Sequence, residues 1–428
     1  MALLVLPGTA GASVGGPGAL VVGPVTDVSR CPGQNAEAWE AADPSTGDLY
    51  VAWMGCGDQI GLARSTDGGA TYATPSVLAD SKGAWDPSVA VSPTGTVYVA
   101  FMRNTDDHTF PVVEASFDHG ATFPQVTQLV GPKPRNYGDR DFIAVGGNGN
   151  VDVTWTYGPD NHSVHEVCPT SFSCYKDSGD VNAVVQVSTD GGRTFGAIVP
   201  VTPGYPDSGG IDPPVVVSPD GQVDVEVPVY RYVNRRTLKL GPGLSFFSAS
   251  TDEGATWSSP VEIGPPSLTV PVNEWWIDGN IRVDAGGDLY ITFDTRVDGQ
   301  DVGWLSYSTD GGATWSPLIR VTPDRSDAVH IVQVAGGPPG VAYVGWLADN
   351  APDGWALYLR PYSVTSGWLA PPVQVSPGFG KKKVWPGDTF GIAALDPTDV
   401  AVSWGSAVSR GRHPLDEIFS AVVACPSC

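Results

Sequence analysis

Positive charge is scarce in this chain: 23 Lys and Arg stand against 46 Asp and Glu among 428 residues, a formal charge of −23. Such a surface repels nucleic-acid phosphates and anionic membranes, so neither is expected as a partner. No run of eighteen apolar residues occurs, which excludes a membrane-spanning helix of the usual kind. No segment sustains helical periodicity, and 53 Gly and 39 Pro interrupt the chain more densely than helices tolerate. The expectation is therefore an all-β fold. A Gly-Lys-Ser/Thr phosphate loop and a His-Glu-x-x-His zinc helix are also missing. No cofactor and no catalytic metal are expected. Asp106-Asp107, and Asp298 with Asp301, could still hold a structural calcium ion through oxygen ligands.

One phrase is present in unusual number. Ser-x-Asp-x-Gly-x-Thr-aromatic runs from Ser65 to Tyr72 and returns at Ser116–Phe123, Ser188–Phe195, Ser250–Trp257 and Ser308–Trp315. Its aspartates, Asp67, Asp118, Asp190, Asp252 and Asp310, are spaced 51, 72, 62 and 58 residues apart, which signals repeated structural units. Each copy lies between strand-like runs, such as Val184–Val187 and Ile198–Val201, and so reads as a hairpin turn. The Asp carboxylate can fix the turn by accepting backbone amides, Gly supplies a positive φ, and the aromatic can pack between sheets. A turn repeated in every unit is structural, not a single active site.

The phrase resembles the Asp-box, or bacterial neuraminidase repeat, of the sialidase-like β-propellers. The resemblance extends in organisation over nearly the whole chain. Four antiparallel strands make one blade. Five blades carrying the phrase fall near 35–80, 84–131, 137–203, 208–264 and 275–323. A sixth at 327–376 lacks it, and a seventh begins near Asp388 and runs out after three strands ending at Glu417–Val423. Ala19–Val25 resembles the segments that follow each phrase and is expected to supply the missing strand, closing the ring and removing its free edges. Seven blades are expected, with six, the number in catalytic sialidase domains, as the alternative. Residues 1–18 read as a flexible N-terminal segment or the remnant of an export signal, and 19–428 as a single propeller domain, expected to be monomeric.

In such a ring the innermost strands start on one face, here the top, and the Asp-boxes lie on the other. Long insertions between second and third strands, Gly158–Val181 and Tyr230–Gly243, belong on top, and insertions of this length usually carry function. Six cysteines suggest an oxidising compartment and secretion. The topology pairs Cys31 with Cys56 on top, lets Cys168 and Cys174 close a small loop, and leaves Cys425 and Cys428 to pair at the bottom. His162, His165, Cys168 and Cys174 could instead bind zinc, but a secreted chain usually oxidises such cysteines.

Inner-strand starts converge on the top mouth. Asp86, Asp212 and Asp278 each lie three residues before an inner-strand segment of matching pattern, and Arg140, followed by Asp141, occupies that place in the third blade. These five are the candidate catalytic residues, since gathered carboxylates can divide acid and base roles. Trp85, Tyr137, Arg235, Trp276, His330 and Trp385, the last beside Asp388, are candidates for stacking on sugars or binding a substrate. Arg140, Arg231, Arg235, Arg236 and Arg296 could clamp a substrate carboxylate. The equivalent Asp residues could equally cap strand starts. True sialidases carry a Phe/Tyr-Arg-Ile-Pro motif before the first repeat; no Arg-Ile-Pro occurs here, so sialidase activity is not assigned. The resemblance implies a secreted, carbohydrate-recognising propeller acting at the top mouth as a glycoside hydrolase or lyase. A non-catalytic extracellular propeller, binding a glycan or a protein surface, is the alternative.

Overall fold

The computed structural model describes residues 19–105, 108–131, 136–159, 182–202, 208–210, 212–234, 239–264, 279–297, 300–322, 329–351, 354–378, 387–410, 413–426 and 428. Seven antiparallel sheets of four principal strands each form a propeller ring. From inner to outer edge, blade 1 is Ala36–Ala42, Leu49–Met54, Ile60–Ser65 and Ser76–Val77; blade 2 is Trp85–Val91, Val97–Asn104, Thr109–Ser116 and Gln125–Gln128. The inner strands of blades 3 to 7 begin at Asn136, Ser208, Asn280, Val329 and Gly391. Among the described residues there is no helix, and so none long and apolar enough to cross a membrane.

The ring closes as the sequence anticipates. Val21 and Val22 pair with Ala424 and Val423, and Thr26 and Asp27 pair with Ser420 and Phe419, so the N-terminal strand becomes the outer strand of blade 7. Cys31–Cys56 and Cys425–Cys428 are disulfide-bonded, while Cys168 and Cys174 lie outside the described residues. One expectation needs correction. Tyr230–Gly243 is not a loop inserted between two strands: Tyr230 pairs with Gly243, Tyr232 with Leu240 and Asn234 with Lys239, so the strands continue as a long hairpin. A polar segment can stay extended here because a two-stranded ribbon satisfies its own backbone groups.

All five Asp-boxes make the same hydrogen bonds. In the first, Thr71 N and Oγ1 donate to the two oxygens of Asp67 at 2.8 and 2.6 Å, Ser65 Oγ donates to Asp67 Oδ1 at 2.8 Å, and Gly69 N donates to Ser65 Oγ at 2.9 Å. These bonds hold the Asp-box carboxylates below their ordinary range, Asp118 and Asp190 at about 2. Register places the boxes opposite the mouth: Ser65 pairs with Leu49, and Leu49 with Ala42 at the far end of the inner strand.

Each box also presses on the preceding blade, which explains its repetition. Gln125 Nε2 and Thr127 Oγ1 of blade 2 donate to Gly191 O and Gly192 O of blade 3, and Gln222 Nε2 of blade 4 donates to Gly311 O of blade 5. A Cβ on Gly312, whose φ is +86°, would stand 2.0 Å from Phe247 Cε1 of blade 4. Gly68, with φ +66°, faces open space. Gly312→Ala is therefore expected to cost about 2 kcal/mol through strain and overpacking, against about 1 kcal/mol for Gly68→Ala, where only the backbone resists. Urea denaturation of the two variants checks the difference.

Candidate functional site: an acidic mouth around Arg140

The inner strands enter the ring through a recurring irregularity. Register shifts occur at Ala36/Trp39, Trp85/Ser88, Asp139/Phe142 and His330/Val332. The residue inside each bulge has left-handed φ: Glu37 +56°, Asp86 +52°, Arg140 +47° and Ile331 +45°, and Asp212, just ahead of Val215–Val217, has +49°. Left-handed backbone is uncommon for any residue with a Cβ, and a β-branched Ile resists it most. Such strain clusters at functional sites and bulges re-aim side chains, so the repeat of this conformation at one level of the ring is informative.

Three of these bulges, with Asp388 just ahead of the inner strand of blade 7, bring four charged groups together. Arg140 Nη1 donates to Asp388 Oδ1 at 2.7 Å and to Asp86 Oδ1 at 3.2 Å. One carboxylate oxygen from each of Glu37, Asp86 and Asp388 lies within 4.8 Å of the others. Gly387 makes the approach from blade 7 feasible: with φ +100°, it packs so close that a Cβ would meet Glu37 N at 2.5 Å. Trp85 Nε1 donates to Asp139 Oδ1 at 3.2 Å, and Ser88 Oγ donates to Asp141 Oδ2 at 3.3 Å, tying blade 2 to blade 3 beside the cluster.

Three carboxyls beside one guanidinium cannot all remain ionised cheaply. Burial, then the Asp388 and Asp86 charges, push Glu37 well above its ordinary range. Burial likewise raises Asp86 to about 7, with Arg140 pulling against it. Asp141 is raised by burial and by Asp86. The cluster therefore keeps at least one proton near neutral pH and titrates as a unit. Its three oxygens are the only acidic group among the described residues arranged to hold a metal ion, yet Arg140 already occupies the place of a cation there.

The mouth has a floor. Trp39 of blade 1 meets Phe142 of blade 3 edge-on at 5.4 Å, and Arg282 of blade 5 lies over the Trp39 ring at 4.8 Å. Both contacts skip blades, so these side chains reach across the axis.

Of the residues singled out by sequence, the structure joins Asp86, Arg140 and Asp141, and sets Trp85 against them. Asp212 holds the equivalent bulge in blade 4, its amide donating to Thr156 Oγ1 at 3.0 Å. Asp278, Trp276, Trp385, Arg235, Arg236, Asp106, Asp107 and Asp298 lie outside the described residues, as do the side chains of Tyr137, His330, Arg231 and Arg296. Glu37 was missed, because charged Glu40 stands where an apolar segment would have flagged it. Another signal was available: Asp86, Arg140, Asp212 and Ile331 each precede a positive-φ hairpin glycine (Gly95, Gly149, Gly221, Gly340) by nine residues, and Glu37 precedes Gly47 by ten.

A family model for the BNR/Asp-box repeat matches residues 306–317. No curated protein matches the chain in sequence. Solved structures are similar over most of its length. A protein of unknown function from Dyadobacter fermentans is 13% identical with a TM-score of 0.56, covering 96% of this chain and 100% of its own. A polysaccharide lyase, an ulvan lyase bound to -[GlcA(1-4)Rha3S]-, is 14% identical with a TM-score of 0.56, covering 92% and 95%. A Penicillium chrysogenum α-L-arabinanase complexed with arabinobiose is 14% identical with a TM-score of 0.54, covering 81% and 99%. At these identities the likeness is one of fold.

Proposed function

Because the chain is an Asp-box β-propeller of sialidase-like fold, we propose that it is a secreted glycan-acting protein whose top mouth transfers protons at a glycosidic linkage. The observation that carries this reading is the Glu37–Asp86–Arg140–Asp388 cluster, assembled from four blades, with three of its members on strained bulges. Similar folds serve an ulvan lyase and an arabinanase, which supports a glycan as substrate class. The Glu37–Asp86 pair offers a carboxylic acid at neutral pH, while Arg140 holds Asp86 and Asp388 in place. Carboxylates that flank a linkage for inverting hydrolysis stand roughly 6.5–9.5 Å apart to admit a water. The nearest oxygens here are within 4.8 Å, which favours either hydrolysis with retention or elimination by a closely spaced acid and base.

The test is a polysaccharide panel, assayed for new reducing ends and for unsaturated products. Asp86→Asn and Glu37→Gln are each expected to lower turnover at least ~100-fold. Since Asp86 is raised to about 7, the acid form is lost as pH rises through that value, and activity should fall on the alkaline side. Arg140→Met removes the charge that lowers Asp86 and should move that limb to higher pH. Unchanged turnover in both carboxyl variants would remove the cluster from the reaction.

A second reading has its own observation. Trp39, Phe142 and Arg282 fill the axis beneath the mouth, and Arg140 is already paired, which suits a non-catalytic propeller that recognises an extracellular glycan or protein surface. Glycan-array binding by wild type without any turnover would favour it.

A further inference from the structure

The five Asp-boxes share one turn, yet two of them differ at the residue after the Asp. Gly68, Gly191 and Gly311 hold that place in the first, third and fifth boxes, with φ of +66°, +74° and +68°. His119 and Glu253 hold it in the second and fourth, with φ of +58° and +59°. Left-handed backbone favours Gly, so each of these side chains strains its turn. Both reach toward an acid of the preceding blade.

His119 Nδ1 stands 3.7 Å from Asp43 Oδ2, where the first hairpin of blade 1 meets the box of blade 2. That separation is beyond a hydrogen bond, and both atoms are buried without one of their own among the described residues. Gly95 makes the room, since a Cβ there would stand 2.8 Å from His119 Cε1. Burial works against the Asp43 charge, but bonds from Ser45 and Thr46 outweigh it and hold the carboxyl below its ordinary range, so Asp43 is an anion at pH 5. The other titratable groups at this contact are Asp118 of the same box and, on blade 1, Tyr50, whose hydroxyl donates to His119 O at 3.3 Å, with the Arg64–Asp48 pair beside its ring. The second contact is repulsive. Glu253 accepts from Asn148 Nδ2 of blade 3 at 3.4 Å, and Asp152, in the strand that follows Asn148, is buried with Oδ1 unpaired among the described residues. Burial, then the Glu253 charge, raise Asp152 from 3.8 to about 7.

We propose that this position of the Asp-box is a pH-sensitive latch on two seams of the ring: as pH falls, His119 gains a charge and closes on Asp43 between blades 1 and 2, and Asp152 takes a proton that ends its repulsion by Glu253 between blades 3 and 4. Both changes tighten the Asp-box face in acid. An imidazole changes charge between pH 8 and 5, which sets the window of the first seam. The raised Asp152 sets that of the second: its contribution is complete below pH 3.8 and lost as pH rises through about 7. None of the mouth residues takes part, so the latch stands whether or not the mouth is catalytic.

The test is calorimetry of the full chain at pH 5 and pH 8. His119→Gln keeps the strained backbone and removes the charge, so its Tm should match wild type at pH 8 and fall about 1 °C below it at pH 5. Glu253→Gln should match wild type at pH 5 and rise about 1 °C above it at pH 8, where Asp152 is ionised. In an Asp43→Asn background the pH 5 effect of His119→Gln should vanish, as it does for two members of one pair. His119→Gly and Glu253→Gly also relieve the turn and should each add a rise that is the same at both pH values, which separates strain from charge. Wild-type crystals grown at pH 5 should place His119 Nδ1 about 2.8 Å from Asp43 Oδ2. Tm differences between the Gln variants and wild type that do not change with pH overturn the proposal, as does an undiminished His119–Asp43 separation at pH 5.

Discussion

Glu40→Gln is expected to stabilise the protein by about 3 kcal/mol at pH 8.5 and to leave it nearly unchanged at pH 4. Glu40 lies on the inner strand of blade 1, facing blade 7 across the seam where the ring closes, and is buried. Its neighbours are hydroxyls: Tyr72 OH approaches Glu40 Oε1 at 3.5 Å and donates to Ser420 Oγ at 3.0 Å, and Ser403 lies beside it. Gly391 makes room for this packing, since a Cβ there would come within 2.3 Å of Ser403 Oγ and 2.6 Å of Glu40 Cβ. Burial without a cation raises the Glu40 carboxyl from 4.5 to about 8. The sign follows from proton binding. Below pH 4.5 the folded and unfolded chains both carry the proton, and stability is at its full value. Between 4.5 and 8 only the folded chain holds it, so stability falls as pH rises. A shift of this size corresponds to roughly 5 kcal/mol, reduced here to about 3 kcal/mol for relaxation of the seam. Asp152, Asp224 and Glu114, each raised to about 7 chiefly by burial, act in the same direction over a lower range. Calorimetry from pH 4 to 9 should show wild type losing Tm toward alkaline pH and the variant losing less, by about 3 °C at pH 8.5 for a chain of this length. Equal destabilisation of the variant at every pH would mean that Glu40 is already ionised in the fold.

Glu40 also shows why part of this molecule was legible in its sequence and part was not. The Asp-boxes could be read because each is a local device: Ser, Asp, Gly and Thr bond within eight residues, so composition and spacing carry the whole geometry. Ring closure could be read because a blade with three strands and an unassigned apolar strand at the other terminus have one economical solution. The mouth was only half legible. Asp86 and Arg140 stand out against the apolar residues that follow them, but Glu37 is followed three residues later by Glu40, and two acids so close look like surface. What makes one a mouth residue and the other a seam residue is the bulge between Ala36 and Trp39, which shifts the register. A register shift of this kind is set by tertiary packing. The hairpin at Tyr230–Gly243 was misread for the opposite reason: its Arg, Asn and Lys residues suggest a loop, yet the backbone stays paired.

The seam supports one further expected result, an ordering of two losses. Ser29 Oγ donates to Glu417 Oε2 at 2.7 Å and accepts from Ile418 N at 3.0 Å, and Asn35 N donates to Asp416 O at 3.0 Å, so the chain leaving the N-terminal strand stays bound to blade 7 until it enters blade 1. Cys31–Cys56 then ties that segment to the hairpin of blade 1, closing a loop of 25 residues. Removing it through Cys31→Ser and Cys56→Ser together frees the unfolded chain and is expected to cost about 3 kcal/mol, with the strand still seated by its backbone bonds. Deleting the chain up to Asp27 is a larger change. It strips blade 7 of its outer strand and exposes the edge from Phe419 to Ala424, whose N–H and C=O groups are free to pair with another molecule. The double cysteine variant should therefore remain soluble and unfold in one transition at lower urea, while the truncated chain should aggregate or unfold in more than one step. Size-exclusion chromatography and urea titration of both variants measure this. A truncated chain as soluble and cooperative as the cysteine variant would show that the seam is held by the disulfide and the blade 7–blade 1 packing, and not by the borrowed strand.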